Sequence, residues 1–467
     1  MSNPAAPDAR LVEIPVPRAL LMLALPVLAS QALRLAYQWV DALWVKGLGV
    51  EATAAVTTSV FVLWCVYALN DLFGAGLSAY VSQLIGAGEP ARAGVAVRKA
   101  LAASAAIGVA CALAGVVAAR PLFALMDPAG NVVEPGAVYL GTVMLGAPFI
   151  LTSLTFEAAM RAAGDTRTPM LVDLFSILLN IVLAPLLIYG WGPFPRLELA
   201  GAAWATVIAQ VVMFACYAVL ALRRHKALPL AWSAPGAPVS LAGLLRVGVP
   251  AALIGILFSV VYMAFVRGAS PYGDAAVAII GVANRIEAVQ FILSVSLGYA
   301  AATLLGQSLG AGDPARAQLV LRTAQRWAAG LSSVMTLVLL AAPQLALALF
   351  TSDPELMAVG VPYLRVLSFA VVATGIEIVT AEAVIGSGHT REMSAIYTTV
   401  SLLRIPLAFW VPRWWDSGVL GIAWLITITC VLRTVVIVSW AARGTWKRGL
   451  SRELRGEVPA PGSGNMS

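Results

Sequence analysis

The octapeptide GAGEPARA at residues 86–93 returns as GAGDPARA at residues 310–317, a shift of 224 positions. Across the wider windows 81–101 and 305–325, ten of 21 aligned positions are identical, whereas chance would give about two or three. Two unrelated loops that share a short motif would not extend their identity so far on either side. The chain is therefore a tandem duplication of one unit.

The same shift, without a gap, aligns further residues over most of each copy. These pairs are Pro26 with Pro250, Gly49 with Gly273, Gly74 with Gly298, Tyr139 with Tyr363, and Gly164-x-Thr166-Arg167 with Gly388-x-Thr390-Arg391. One polar position differs in chemistry, because Arg404 stands where the first copy has Asn180. The two copies share a scaffold but not its chemistry.

The composition excludes a water-soluble globular protein. Of 467 residues, 60% are hydrophobic and 11% charged, whereas soluble domains carry about 25% charged residues. The net charge of +7 does not indicate nucleic acid, because the basic residues lie in short loops between apolar runs. The cysteines lie inside those runs without metal-type spacing, and we expect small buried hydrophobes and no metal site. They are Cys65, Cys111, Cys216 and Cys430.

Twelve apolar runs are long enough to cross a bilayer, since a helix of about 20 residues spans the hydrocarbon core. They lie near residues 19–48, 53–85, 98–120, 136–160, 169–190, 199–222, 245–267, 275–306, 325–350, 360–386, 394–412 and 418–441. Each copy holds an even number of runs, so both copies begin on the same side of the membrane. The sequence predicts an all-α membrane protein of two six-helix lobes, related by a pseudo-two-fold axis along the membrane normal.

The lobes are predicted at residues 1–222 and 244–467, the second with a cytoplasmic tail. Residues 223–243 are basic and then rich in Pro, Ala and Ser, which predicts a cytoplasmic linker. With the N-terminus inside, twenty Lys and Arg fall in inner loops and tails and five in outer loops. This asymmetry predicts cytoplasmic termini in a cell (inner) membrane protein. The first residues lack a basic stretch followed by a cleavage site, so we expect no removable signal.

Three stretches of the first copy, ALPVLASQALRLAYQWVDALWVKGLG, VSQLIGAGEPARA and RAAGDTRTPMLVDLFSILLNIVLAPLLIYG, resemble the multidrug and toxic compound extrusion family. The segments GVPAALIG, GVANRIEAV and LLGQSLGAGDPARAQ repeat the likeness in the second copy. The resemblance covers about residues 20–440. It implies a V-shaped, twelve-helix antiporter that exports bulky, often cationic or amphipathic compounds in exchange for H⁺ or Na⁺.

The resemblance also implies a cation-coupling cluster in the first lobe, with Asp41, Asn180 and Thr206 at the matching positions. Many members carry a second aspartate four residues after the asparagine, where this chain has Ala184. A full Na⁺ site would need several oxygen ligands and more negative charge. The departure therefore favours H⁺ over Na⁺ as the coupling ion, and no other cofactor is expected.

Asp41 is also a functional candidate on its own, because an acid in a membrane helix costs about 2.5–3.5 kcal/mol on insertion scales. Arg34, Tyr37 and Asp41 are spaced i, i+3, i+7 and share one helix face. A carboxylate held between desolvation and a nearby cation can change its protonation as a cleft opens and closes. The alternative is a structural ion pair with Arg34 or another basic group. Asp173 joins the coupling candidates because it shares a helical stripe with Asn180, although it could simply be interfacial.

The candidate substrate contacts are four aromatic residues, whose π faces suit a cationic substrate, and two acids of the second lobe. They are Tyr37, Trp39, Trp64, Tyr67, Glu287 and Glu377. The second lobe carries too many charges to face lipid, so structural pairing is favoured for its charged residues, which are Arg285, Glu287, Glu377, Glu382 and Arg404. Pro26 and Pro185 each remove a helical hydrogen bond and permit a kink, which is either mobile or static.

A lipid-linked or polysaccharide flippase of related two-lobed architecture is the main alternative, and a strongly cationic central cavity would favour it. A channel would conduct without an ion gradient. An enzyme is disfavoured, because His225 and His389 fall in cytoplasmic loops and no HExxH, GxSxG or Walker sequence occurs. We expect small organic substrates and lipid as partners, no nucleic acid, and a monomer.

Overall fold

The computed structural model describes residues 10–126, 132–223, 230–231, 233–236, 238–414 and 417–450. Within these ranges all regular secondary structure is helical. Part of the predicted linker, including His225, and the predicted cytoplasmic tail from residue 451 lie outside the described residues.

The helices follow the two sequence repeats. The first repeat forms α1 (Arg10–Glu13), α2 (Val16–Lys46), α3 (Val50–Gly86), α4 (Pro90–Met126), α5 (Val133–Leu145), α6 (Ala147–Ala163), α7 (Arg167–Tyr189) and α8 (Glu198–Leu222). The second repeat forms α9 (Leu241–Ala269), α10 (Asp274–Gly310), α11 (Pro314–Ala341), α12 (Pro343–Ala348), α13 (Pro354–Gly386), α14 (Thr390–Trp414) and α15 (Val419–Ala442).

Ten of the described helices are long and apolar enough to cross a membrane, and the pair α5–α6, bent by 47°, adds one more. The remaining long helix, α11, carries Arg316, Arg322 and Arg326 in its first half, which lowers its hydropathy. These twelve spans in two sets of six confirm the predicted fold class, while the symmetry axis stays a prediction. The run predicted at residues 325–350 was misplaced, because α11 begins at Pro314 and ends at Ala341.

The described chain forms two compact units. The first unit comprises Leu25–Gly248, and the second unit comprises Arg10–Ala24 together with the described residues from Val249 onward. The boundary after Gly248 lies 224 residues beyond the boundary after Ala24, which is the repeat shift. Residues 16–24 of α2 therefore belong to the second unit, although most of that unit comes from the second repeat. Residues 241–248 of α9 belong to the first unit, although most of that unit comes from the first repeat. The predicted lobe limits and linker stay a prediction.

The two copies of the octapeptide form the same turn. Gly88 and Gly312 have φ angles of 76° and 78°, in the left-handed region that glycine adopts without a Cβ penalty. The Asp313 carboxylate accepts a hydrogen bond of 2.8 Å from the backbone N–H of Arg316, which caps the N-terminus of α11. The motif therefore begins a helix in each repeat.

The arginine of the octapeptide holds the segment that leads into a first helix. Arg316 donates from Nη2 to the carbonyl oxygens of Leu11 at 2.8 Å and Ile14 at 2.7 Å. In the other repeat, a Cβ on Gly236 would lie 3.4 Å from Cδ of Arg92, so Arg92 lies beside the segment before α9. In the second unit, Arg316 of the motif therefore holds the segment that leads into α2. In the first unit, its counterpart Arg92 lies beside the segment that leads into α9.

Candidate ion-coupling site

A polar cluster lies inside the first unit, where side chains from α2, α7 and α8 meet. The Thr206 hydroxyl donates to the Ala202 carbonyl at 3.1 Å. Its Oγ1 lies 3.4 Å from the Tyr37 hydroxyl and 3.5 Å from Asn180 Nδ2. The structure therefore brings Tyr37, a predicted substrate contact, together with Asn180 and Thr206, two predicted coupling residues, and these roles stay predictions.

Asp41 lies one turn beyond Tyr37 on α2 and interacts electrostatically with Tyr37 and Tyr139. One oxygen of Asp41 and the amide oxygen of Asn180 are buried without a hydrogen-bond partner among the described residues. Within that part of the chain Asp41 also forms no ion pair. Buried acceptors are normally paired, so the Asp41 carboxylate can receive a proton, and each of the two oxygens can accept a hydrogen bond or contact a small cation.

The stripe predicted on α7 is buried along its whole length. Ser176 donates to the Ala209 carbonyl at 2.9 Å, so this face of α7 packs against α8. Ala184 is fully buried and belongs to an apolar core with Val45 and Ile188. The position where family members carry a second acid is therefore filled by a methyl group in an apolar contact.

Asp173 lies in a different group of charges, an ion-pair network around Arg34. Arg34 Nη2 contacts the Asp173 carboxylate at 2.9 and 3.0 Å and Glu157 Oε2 at 2.5 Å. Glu157 also pairs with Arg161 one turn away. Arg34 is thus engaged by acids of α6 and α7 rather than by Asp41. The geometry favours a structural role for Asp173, and its part in coupling stays a prediction.

Pro26 and Pro185 lie inside α2 and α7, the helices that carry Asp41 and Asn180. Each proline removes one backbone hydrogen bond from its helix. Two of the three helices of the cluster, α2 and α7, therefore each contain a weakened turn. Whether these turns bend during function stays a prediction.

The predicted aromatic contacts occupy two environments. Tyr67 interacts electrostatically with Tyr37, Tyr139 and Arg34, which places it beside the polar groups of the first unit. By exposure, however, Tyr67 at 44% resembles Trp39 and Trp64, which are 55% and 46% exposed and lie on the surface of that unit. Their contact with substrate stays a prediction.

Glu377 is buried in the second unit beside Arg433. Its Oε1 lies 2.8 Å from Arg433 Nη2, an ion pair without hydrogen-bond geometry, and its Oε2 lies 3.5 Å from the Thr434 hydroxyl. The Arg433 guanidinium lies 4.3 Å from the centre of the Tyr397 ring. This is the structural pairing that the sequence favoured for Glu377, and its contact with a substrate stays a prediction.

Glu287 lies in a second polar group of the same unit. It hydrogen-bonds Tyr262 and interacts electrostatically with Arg404. Arg404 donates from Nε to the Thr429 hydroxyl at 2.8 Å and from Nη2 to Cys430 Sγ at 3.1 Å. Contact of Glu287 with a substrate stays a prediction.

Sequence reasoning missed three charged participants: Glu157, Arg433 and Asp71, which interacts electrostatically with Arg161. Each lies inside a predicted membrane run, so the cost of burying a charge could have identified all of them. Tyr139 was noticed only as a repeated residue, because a tyrosine in an apolar helix carries no comparable signal.

The duplicated set of twelve spans, with buried polar groups inside its units, defines a polytopic membrane transporter. A family model described as MatE matches residues 26–186 and again residues 250–410. The two matches are offset by the repeat shift. The chain belongs to the MatE family, the multidrug and toxic compound extrusion transporters, which confirms the resemblance.

Curated relatives match the chain over nearly its whole length. It is 28% identical over 437 residues to the FAD transporter of Shewanella oneidensis, covering 93% of this chain and 96% of that protein. It is 26% identical over 460 residues to the probable multidrug resistance protein NorM of Thermotoga maritima, covering 93% and 94%. It is 26% identical over 421 residues to the multidrug resistance protein PmpM of Pseudomonas aeruginosa, covering 88% and 85%.

Solved structures share the fold. One is a transporter of the MOP superfamily from Pyrococcus furiosus, with a TM-score of 0.86 and 24% identity. Another is a multidrug resistance MATE family transporter in an outward-facing conformation, also with a TM-score of 0.86 and 24% identity. Both matches cover 93% of this chain and 97% of the other.

Proposed function

We propose that the protein exports organic small molecules in exchange for protons by alternating access, with Asp41 as the coupling carboxylate. The observation that carries this proposal is the half-buried carboxylate of Asp41, which has no ion pair among the described residues and one buried oxygen without a hydrogen-bond partner. The relatives named as multidrug resistance proteins support organic small molecules as substrates.

Protonation of Asp41 changes both its charge and its hydrogen bonding. An ionised carboxylate only accepts hydrogen bonds, whereas a protonated one also donates. Uptake of a proton removes a buried charge and supplies a donor near Tyr37, whose hydroxyl already contacts Thr206. The cluster can then adopt two different pairings, and a transport cycle needs two such states with different ion affinity.

The ligand set favours H⁺ over Na⁺. The cluster offers one carboxylate, Asp41, with neutral oxygens from Tyr37, Asn180 and Thr206. Hard cations prefer several oxygen ligands, and the methyl group of the buried Ala184 supplies none where many family members carry a carboxylate. A proton needs a single acceptor.

Two substrate classes remain to be compared. Cationic or amphipathic organic compounds follow from the family, and a dinucleotide such as FAD is the second candidate because a relative matching 93% of this chain is named an FAD transporter. A flippase for lipid-linked substrates stays the alternative function. We further propose a monomer in the cell (inner) membrane with both termini in the cytoplasm.

The experiment is efflux from proteoliposomes of a cationic fluorescent dye and, separately, of FAD, with a pH gradient or a sodium gradient imposed alone. We expect the pH gradient to drive efflux. Asp41→Asn should insert normally but reduce gradient-driven efflux to the rate of protein-free vesicles. Glu134→Gln, at an acid whose side chain is 70% exposed, is the matched control and should behave as wild type. Wild-type efflux from Asp41→Asn would remove Asp41 from the mechanism.

A further inference from the structure

One span is broken in the first repeat and continuous in the second. In the first repeat α5 ends at Leu145 and α6 begins at Ala147, and the two helices are bent by 47°. Under the 224 shift the same stretch falls inside α13, a single helix of 33 residues. The residues at the bend must therefore account for the difference between the two copies.

The backbone hydrogen bonds change at this bend. Pro148 has no N–H to donate to the carbonyl of Met144, so one helical hydrogen bond is missing there. The N–H groups of Phe149 and Ile150 both bond the carbonyl of Gly146, each at 3.0 Å. The α5–α6 span is therefore weakest at residues 144–148.

Gln210 of α8 lies against the bend. A Cβ on Gly146 would collide with Oε1 of Gln210, so glycine leaves the room that this amide occupies. Gln210 is 7% exposed, and its Oε1 is buried without a hydrogen-bond partner among the described residues. A Cβ on Gly108 of α4 would lie 2.5 Å from Cα of Pro148. Both α4 and α8 thus pack closely against the bend.

The second repeat carries other residues at the three positions that form the bend. Ala370, Val372 and Thr434 stand where the first repeat has Gly146, Pro148 and Gln210. Val372 has a backbone N–H, and the Thr434 hydroxyl donates to the carbonyl of Ala373 on α13 at 3.0 Å. The continuous helix therefore goes with a complete set of N–H groups and a shorter side chain from the neighbouring helix.

The two halves of the α5–α6 span reach α2 on either side of Asp41. Val143 of α5 belongs to the same apolar core as Val45, and Glu157 of α6 contacts Arg34 Nη2 at 2.5 Å. Asp41 lies between Arg34 and Val45 on α2. A change in the angle of the bend therefore changes the surroundings of Asp41.

A cavity beside the bend gives this angle room to change. It has about 240 Å³, including space open to the surroundings, and Met144 of α5, Ile150 of α6, Tyr67 of α3 and Gln210 line it. Closely packed interiors resist such changes, because they contain few voids. Gln210 also lies one turn from Thr206 of the polar cluster, so it connects the bend with that cluster.

We propose that the bend is a hinge of the first unit and that Gln210 is a positioning residue for ion coupling, which sets the angle between α5 and α6. The inference rests on the proposed function in taking proton uptake at Asp41 as the event that moves the hinge. The second unit has no equivalent hinge, since α13 is continuous through the matching residues.

The test is the distance between spin labels on Glu134→Cys and Glu198→Cys, in the first turns of α5 and α8, where the acids are 70% and 62% exposed. The purified full chain is used with its four cysteines replaced by alanine, at acidic and alkaline pH, with and without sodium. Residue 134 lies about 18 Å from the bend, so a rotation of about 15° moves it by about 5 Å. We expect a change of that size between the two pH values, and Asp41→Asn should hold the acid-pH distance throughout.

Gly146→Ala, Pro148→Val and Gln210→Thr together give the bend the residues of the second repeat. This variant should show one distance under all conditions and lose gradient-driven efflux about tenfold or more. Gly141→Ala is the matched control, because its methyl group would make an ordinary contact of 3.8 Å with Ala119, and it should move and export as the wild type does.

If the triple variant does not fold, the wild-type distances and Gln210→Ala decide, since the smaller side chain should broaden the distance distribution at both pH values. An unchanged wild-type distance under all four conditions overturns the hinge. A triple variant that moves and exports normally, or a Gln210→Ala distribution as narrow as the wild type, overturns the role of Gln210. A distance that still changes with pH in Asp41→Asn would support the hinge but contradict Asp41 as its trigger, which the efflux assay checks separately.

Discussion

The two units neutralise buried charge on the same scaffold in different ways. In the first unit, Arg34 lies between two acids, Glu157 and Asp173. In the second unit, Arg433 pairs with one acid, Glu377, at 2.8 Å. The first network is thus shared among several partners, while the second depends on a single pair.

One repeated position takes part in both arrangements. The repeat shift aligns Asp173 with Tyr397, which lies over the Arg433 guanidinium at 4.3 Å. At this position the first unit binds an arginine with the carboxylate of Asp173, and the second unit binds an arginine with the aromatic ring of Tyr397. Duplication therefore preserved the place of an arginine contact while its chemistry changed. We therefore expect the first unit to tolerate the loss of one acid better than the second unit does.

The largest effect on stability is expected for Glu377→Gln compared with Glu157→Gln. The first change leaves Arg433 buried without a carboxylate and should cost about 3–5 kcal/mol. The second leaves Arg34 its contacts with Asp173 and leaves Arg161 its electrostatic interaction with Asp71, and it should cost about 1–3 kcal/mol. Thermal melting of the purified variants measures both, with the exposed acid variant Glu355→Gln as control. Equal losses of stability in Glu157→Gln and Glu377→Gln would show that sharing Arg34 between two acids does not protect the first unit.

A smaller loss is expected at the segment that leads into α2. Arg316→Gln removes two charge-assisted hydrogen bonds, to the carbonyls of Leu11 and Ile14, and should cost about 2 kcal/mol. Hydrogen exchange of residues 10–16 should accelerate in this variant, because those residues lose their tie to α11. Arg322→Gln, at an exposed arginine of the same helix, should leave the exchange unchanged. Unaltered exchange in Arg316→Gln would mean that apolar packing alone holds the segment.

Introducing an acid at equivalent positions distinguishes the electrostatics of the two units. Ala184 and Ala408 are both fully buried, and each lies one turn after the residue that differs, Asn180 or Arg404. Ala408→Asp can pair with Arg404 at i, i+4, whereas Ala184→Asp has no basic neighbour on its helix face. Both changes overpack the site and should cost about 1–3 kcal/mol.

The two acids should therefore differ in their response to ions. Acid pH or sodium should restore part of the melting temperature of Ala184→Asp and leave that of Ala408→Asp unchanged. The measurement is a melting curve with and without sodium at constant ionic strength. Sodium stabilisation of both variants would show that Arg404 does not pair with the new acid at position 408.

The fold was largely predictable, because a single shift fixed both repeats and the apolar runs located most helices. The start of α11 was missed because hydropathy does not register a helix with three arginines in its first half. The capping residue Asp313, followed by Pro314, is a helix-start signal that could have located it.

The members of the polar cluster could be predicted from the sequence, but the contacts of the charged residue Arg34 could not. Residues i and i+7 share a helix face yet lie about 10 Å apart along the axis, so the spacing of Arg34 and Asp41 could not establish a contact. The structure gives Arg34 two acids from other helices, Glu157 and Asp173. Which acid a buried arginine meets is decided by the packing of helices distant in sequence, and one sequence carries no record of that.

The smallest expected effect tests the hydrogen bond that joins α7 to α8 next to the cluster. Ser176 donates to the Ala209 carbonyl at 2.9 Å, and the repeat shift places Val400 at the equivalent position. Ser176→Val thus gives the first unit the residue of the second. The carbonyl of Ala209 loses one of its donors, so we expect a loss of about 0.5–1.5 kcal/mol in melting experiments. Because Ser176 lies one turn from Asn180, the variant should also lower the proton-driven efflux rate slightly. A loss of stability with unchanged efflux would separate the packing of α7 on α8 from the coupling chemistry, whereas a large loss of efflux would place Ser176 within the coupling cluster itself.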